Sequence, residues 1–163
     1  MTAGGGDDDA ARLSFLARVV VKEAAHLSRT DDLLFAGGPL PVATVAGLGE
    51  NEPLAERVDA FVARFGRLQD TLGDKLLPAL LTALDGRCGP LIDNLHRAER
   101  LGWVCDAAGW MRARRLRNQM VHDYVEDPAV LADALAEAHA AVPMLVTAGT
   151  RWVEELRRRG LAA

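Results

Sequence analysis

The stretch LAERVDAFVARFGRLQDTLGDKLLPALLTAL, residues 54–84, decides the fold class. Its apolar residues recur every three or four positions, the spacing that places side chains on one face of an α-helix. That face consists of Val58, Phe61, Val62, Phe65, Leu68, Leu72, Leu76 and Leu80. Gly73 and Pro78 lie inside the pattern. Because proline lacks a backbone donor and its ring meets the preceding turn, we expect one long helix with a kink near Lys75.

The chain before this helix predicts one further long helix. Residues 1–6 carry no packing pattern, so we expect them to be disordered. The acidic run Asp7–Asp9 suits the positive end of a helix dipole, and the helix that it opens should end near Phe35. Residues 36–53 contain glycines and prolines that cannot continue a helix. We expect a loop there that lies on the surface or docks on a partner.

Three more helices are predicted after residue 84. Pro90 suits the first turn of a short helix. Asp106 is the expected N-cap of the next helix. Asp127-Pro128 opens a last helix that runs toward Arg159 and contains Pro143. No strand pattern or internal repeat is present, so the sequence predicts an all-α bundle of four main helices plus a shorter one.

Composition limits the possible functions. The 163 residues suit a single domain, which we place at residues 7–163. The net charge of −4 argues against a protein that coats nucleic acid by charge alone. The two cysteines, Cys88 and Cys105, lack the spacing of a zinc site, and we expect no metal or cofactor. The N-terminus lacks a secretory signal, and the apolar stretch Leu76–Leu84 is too short to span a bilayer, which predicts a cytoplasmic protein.

The most informative polar residues lie in RNQMVHDY, residues 117–124, on the fourth helix. On a helical wheel Arg117 falls inside the apolar arc, with Tyr124 on its flank. An arginine there must be paired, or must lie at a cleft or subunit interface, because burial of an unpaired charge is prohibitive. Asn118 and His122 are one turn apart and share the neighbouring face.

These residue types suit phosphodiester chemistry. The guanidinium of Arg117 can grip phosphate oxygens, and the imidazole of His122 can move a proton to or from a ribose or leaving oxygen. Neither step requires a metal. The two residues are five positions apart, so on a straight helix they point about 140° apart. Either the helix ends or distorts near His122, or two copies of the helix combine in a symmetric dimer.

Arg117, His122 and Tyr124 match the Arg-x4-His-x-Tyr motif of the HepT branch of the HEPN superfamily, and the chain resembles that branch over about Val58 to Leu145. Asn118 fills the polar position that often follows the arginine. The neighbouring text of residues 64–71 and of Pro90 to Leu101 looks like the same branch.

This resemblance implies a fold, an activity and a partner. HEPN domains are helical and pair so that two motifs face one cleft. Many are metal-independent endoribonucleases, which implies catalytic roles for Arg117 and His122, with Asn118 and Tyr124 in support. HepT proteins are toxins of type VII-like toxin–antitoxin systems. By analogy a cognate minimal nucleotidyltransferase antitoxin would transfer AMP to Tyr124 and block the site.

Several residues have simpler interpretations. Arg117 could anchor a helix end by pairing with Asp123 or another carboxylate, His122 could cap the helix, and Tyr124 could simply pack with its hydroxyl at the rim. The basic residues before the motif are either a solvated face or contacts to an RNA backbone; they are Arg112, Arg114 and Arg115. His139 has no partner spacing and is assigned no role.

A different class of function is also compatible with the sequence. The chain could be a non-catalytic HEPN partner that presents a surface to a minimal nucleotidyltransferase. The acidic net charge favours this alternative.

Overall fold

A computed structural model describes residues 5–122 and 126–163 of the chain, without the side chain of His122. Every regular element in these residues is helical, which confirms the all-α class. The helices are α1 (Gly5–Leu34), α2 (Val42–Ala46), α3 (Glu52–Asp70), α4 (Leu77–Asp85), α5 (Leu91–Arg100), α6 (Ala107–His122) and α7 (Pro128–Arg158). A 3₁₀ turn, Leu48–Glu50, lies between α2 and α3.

A π-helical turn lies where the sequence predicted a kink, near Lys75. This turn, Thr71–Leu76, joins α3 to α4, and Pro78 lies in the first turn of α4. Proline cannot donate to the carbonyl of Asp74, four residues earlier, and its ring would clash with that carbonyl in a regular α-helix. A local change of helical pitch accommodates both effects.

The first 53 residues depart from expectation in two places. α1 begins at Gly5, so Gly5 and Gly6 are helical and not disordered, while residues 1–4 lie outside the described part. Residues 36–53 are not a plain loop, because they contain α2 and the 3₁₀ turn. Val45 and Leu48 are buried, and α2 packs against α7. These two apolar residues are therefore covered by the chain itself, whereas Val42 is 48% exposed.

The predicted starts of α6 and α7 are confirmed. The Asp106 carboxylate accepts a hydrogen bond from the backbone N–H of Gly109 at 2.9 Å. The Asp127 carboxylate accepts one from the backbone N–H of Ala129, also at 2.9 Å. Each bond satisfies one of the unpaired donors at a helix N-terminus. Pro90 was misplaced by one residue: it precedes α5 as its N-cap.

The core lies where α1, α3, α6 and α7 meet. Trp110 of α6 stacks on Trp152 of α7, with ring centroids 5.4 Å apart. The indole N–H of Trp152 donates to the carbonyl of Trp103 at 3.0 Å. By length and composition α7 is apolar enough to cross a membrane. It is weak evidence of a membrane span, because a core helix passes the same test, and Leu135, Leu145 and Trp152 of α7 are buried inside the bundle.

Candidate functional site

Arg117 lies where α6 packs against α3. Its Nη1 donates to the Oδ1 atom of Asp70, the last residue of α3, and forms an ion pair with it. The side chains of Arg117 and Asp70 are 32% and 35% exposed. The prediction that Arg117 must be paired or at a cleft is confirmed, and its carboxylate partner comes from another helix. Asp123, the other partner considered, lies outside the described residues.

Gly66 gives Arg117 room to lie against α3. A Cβ atom built on Gly66 would lie 2.8 Å from Nε of Arg117 and 3.3 Å from its Cδ. Real Cβ atoms essentially never approach another heavy atom as closely as 2.8 Å. A side chain at position 66 would therefore push the arginine away from the helix that holds its ion-pair partner.

A second arginine–aspartate pair continues this contact. Nη1 of Arg114 lies 3.2 Å from Oδ1 of Asp74, which belongs to the π-helical turn. The order of the two pairs along the chain shows that α6 runs antiparallel to the end of α3. Both pairs lie along the contact of α6 with the end of α3 and the π-helical turn.

These pairs limit the predicted basic RNA-binding face. Arg114 is countered by Asp74, and Arg112 lies 3.1 Å from the carboxylate of Asp106. Arg115 is exposed and takes part in none of the ion pairs found in residues 5–122 and 126–163. Of the three arginines, Arg115 alone has no carboxylate partner within this part of the chain.

An open pocket of about 320 Å³ lies beside Arg117. Its lining residues are Asp59, Val62, Ala63 and Gly66 from α3 and Arg117, Met120 and Val121 from α6. Val121 is 55% exposed. The pocket combines apolar walls with one guanidinium and one carboxylate. It can therefore take a ligand that carries an anionic group and an apolar or aromatic body.

The rest of the predicted motif is only partly described. Asn118 is exposed on α6. The backbone is helical through His122, but its side chain lies outside the described residues, as does Tyr124. Positions 117 and 122 are thus five residues apart on one continuous helix, about 140° around its axis. The structure joins Arg117 to Gly66 and Asp70, two residues to which the sequence assigned no role.

The sequence held a faint signal for these two residues. Asp59, Gly66 and Asp70 are spaced seven and four apart, which places them on one face of α3. On that face, two acidic residues and a glycine accompany the apolar Val62 and Ala63. Their pairing with α6 nevertheless depends on which helix packs there, and periodicity alone does not give that information.

Buried polar groups accompany this contact. Gln69 is 2% exposed, and neither of its amide atoms has a hydrogen-bond partner among the described residues. Glu23 of α1 is partly buried, and this burial raises its pKa above the ordinary 4.5, opposed by the Thr71 hydroxyl and the charge of Arg67.

His139 also has a partner that the sequence did not predict. Its Nδ1 lies 2.7 Å from Oδ1 of Asp31, and Phe35 stacks on the imidazole with ring centroids 4.3 Å apart. The pair joins the end of α1 to α7. Within the described ranges, no three His, Cys, Asp or Glu side chains are grouped to hold a metal ion.

Comparisons of the chain with family models, with curated proteins and with solved structures found no match in any of the three. The resemblance to HEPN proteins thus depends on the motif residues and on the helical class.

Proposed function

We propose that this protein is a metal-independent endoribonuclease of the HepT type, which acts in the cytoplasm as a symmetric homodimer. It would be the toxin of a type VII-like toxin–antitoxin system. The observation that carries the proposal is the placement of Arg117. The first residue of the motif is held by Asp70 at the wall of an open pocket, with about a third of its side chain exposed.

Arg117 suits the stabilisation of a phosphorane-like transition state. A guanidinium has five N–H donors, and Asp70 accepts from Nη1. Because the ion pair fixes the side chain, its remaining donors lose less rotational freedom when they bind phosphate oxygens. Arg117 would thus stabilise the negative charge that builds on the non-bridging oxygens.

His122 would carry the proton transfers. A histidine accepts the proton of the ribose 2′-hydroxyl, the 2′-oxygen attacks phosphorus, and the bond from phosphorus to the 5′-oxygen breaks. The leaving oxygen takes up a proton, so the products are a 2′,3′-cyclic phosphate and a 5′-hydroxyl. This reaction requires no external water or redox partner.

A dimer is proposed because of the geometry of α6. The helix is continuous to His122, so positions 117 and 122 face directions about 140° apart. One copy of α6 cannot easily direct both side chains at one phosphate. Two copies related by a two-fold axis can pair Arg117 of each copy with His122 of the other.

The antitoxin would act on Tyr124. We propose that a cognate minimal nucleotidyltransferase transfers AMP to this hydroxyl, and that the added anionic group competes with RNA for Arg117. Tyr124 is the single tyrosine of the chain. After co-expression with the transferase, the intact mass should rise by multiples of an AMP unit, and Tyr124→Phe should abolish the increase.

One observation favours the alternative of a non-catalytic nucleotidyltransferase partner. The charges of Arg117 and Arg114 are countered by Asp70 and Asp74, and Asp59 adds a carboxylate to the pocket. This local balance weakens non-specific attraction of a polyanion. Under this alternative, the purified protein binds the transferase but leaves RNA intact.

Cleavage of RNA in the presence of a chelator tests the proposal. The wild-type protein should release fragments with 2′,3′-cyclic phosphate ends, and Arg117→Ala and His122→Ala should lose this activity while remaining folded. Arg151→Ala and His96→Ala are matched controls, because both residues are exposed and lie on other helices. Undiminished cleavage by His122→Ala would refute the proposed mechanism.

A further inference from the structure

The pocket beside Arg117 contains a charged residue that the proposed reaction does not use. Asp59 lies seven residues before Gly66 on α3, and Gly66 is the residue that Arg117 covers. Seven residues of α-helix span about 10 Å. Asp59 and the part of Arg117 that lies on Gly66 are therefore about two helical turns apart along one pocket, whose other lining residues are apolar.

Asp59 is exposed, and no ion pair within residues 5–122 and 126–163 involves it. Among the described residues it is thus an acceptor without an ion-pair partner, at the end of the pocket opposite Arg117. Val62 and Ala63 of α3 and Met120 and Val121 of α6 form the walls between these two charges. Such walls suit the flat face of an aromatic ring.

A nucleotide has the matching chemistry. Its phosphate pairs with a guanidinium, its base lies against apolar walls, and the edge of the base carries hydrogen-bonding groups that a carboxylate can read. A carboxylate only accepts hydrogen bonds. Guanine places an imino N–H and an amino group side by side on its Watson–Crick edge, so both carboxylate oxygens of Asp59 can be used.

The other bases fit less well. Adenine and cytosine place a single amino group beside a ring nitrogen acceptor, which repels a carboxylate. Uracil places its imino N–H between two carbonyl oxygens. We propose that this pocket binds the guanine base of an RNA nucleotide and that Asp59 selects it. This inference rests on the proposed function: in a ribonuclease, a pocket that selects guanine makes the cleavage selective for guanosine.

A basic side chain of a partner protein is the competing occupant. It would match Asp59, but it could form no hydrogen bond with Arg117, since both groups have only N–H donors. A nucleotide can bond to both ends of the pocket, and we therefore favour it. Asp70 accepts only from Nη1 of Arg117, which leaves other N–H donors for the phosphate.

Titration with free mononucleotides tests this inference without requiring catalysis. The wild-type protein should bind guanosine 3′-monophosphate at least about tenfold more tightly than the adenosine or inosine nucleotide, because only guanine makes the bidentate base contact. Heteronuclear NMR measures the three affinities. Inosine lacks only the amino group, so it isolates that contact. Resonances of residues 59–66 and 117–121 should shift. Equal affinity for the three nucleotides, or no binding at millimolar concentration, would overturn the inference.

Asp59→Asn supplies the second arm. It should remove the preference for guanine and leave the protein folded. Asp133 is an exposed aspartate of α7, and Asp133→Asn should leave the preference unchanged. RNA cleavage distinguishes the two proposals. Cleavage without base preference refutes the guanine site alone. Selective nucleotide binding without cleavage refutes the ribonuclease alone. A pocket that instead binds an arginine-containing peptide and no nucleotide assigns it to a protein partner.

Discussion

Replacement of Gly66 by alanine tests the contact that positions Arg117. In a helix interior, alanine is more favourable than glycine by about 0.5–1 kcal/mol. Here the added methyl group would lie 2.8 Å from Nε of Arg117. The contact is with a flexible side chain that can shift, at the cost of its partly exposed ion pair with Asp70 and its contact with α3, together about 1 kcal/mol. This cost offsets the gain in helix propensity, so we expect Gly66→Ala to change the free energy of unfolding by less than about 0.5 kcal/mol.

The gain in helix propensity should appear in full when Arg117 is absent. In an Arg117→Ala background the methyl group meets no side chain of Arg117, so Gly66→Ala should stabilise the protein by about 0.5–1 kcal/mol. The coupling free energy between the two positions is then about 1 kcal/mol. Chemical denaturation of the wild type, the two single variants and the double variant, followed by tryptophan fluorescence, measures this coupling.

A control glycine makes the measurement specific. A Cβ atom on Gly6 of α1 meets nothing within 4 Å, so Gly6→Ala should show no coupling to Arg117→Ala. If Gly66→Ala has the same effect with and without Arg117, the side chain does not lie on Gly66. The placement of Arg117 on which the proposed site depends would then be wrong.

Three further substitutions address the site and its surroundings. Asp70→Asn should change the free energy of unfolding by less than about 1 kcal/mol, because its ion pair with Arg117 is partly exposed. It should nevertheless lower kcat for RNA cleavage at least about tenfold. An unchanged kcat would exclude a positioning role for Asp70. Gln69→Met should raise the free energy of unfolding in urea by about 1–2 kcal/mol, since it removes a buried amide without partners among the described residues. A decrease of similar size would show that the amide is hydrogen-bonded. Glu23→Gln should stabilise the protein more at neutral pH than at pH 4.5. The raised pKa of Glu23 means that the folded state holds its proton more tightly, so the wild type loses stability as pH rises above 4.5; equal effects at both pH values would contradict this.

Much of the helical architecture could be predicted from the sequence because its signals are local. The spacing of apolar residues located α1, α3 and α7, and Pro78 located the π-helical turn. Asp106 and Asp127 marked two helix starts because capping depends on residues only two or three positions away. The short helix α2 escaped prediction, since five residues cannot display a helical period.

The partners of the site residues could not be predicted in the same way. The apolar arc of α6 required that Arg117 be paired or at a cleft, but 47 residues separate it from Asp70. His139 and Asp31 are 108 residues apart. Such contacts depend on which helix faces pack together. Pattern analysis gives the buried face of each helix but not its neighbour.

The most direct test of the account is to mix two inactive variants. If each active site takes Arg117 from one copy and His122 from the other, Arg117→Ala and His122→Ala should each be inactive alone. Subunit exchange between them should create heterodimers with one intact site, and RNA cleavage should return to roughly a quarter of the wild-type rate for a random mixture. No recovery in a mixture shown to contain heterodimers would contradict the shared site, as would full activity of either variant alone.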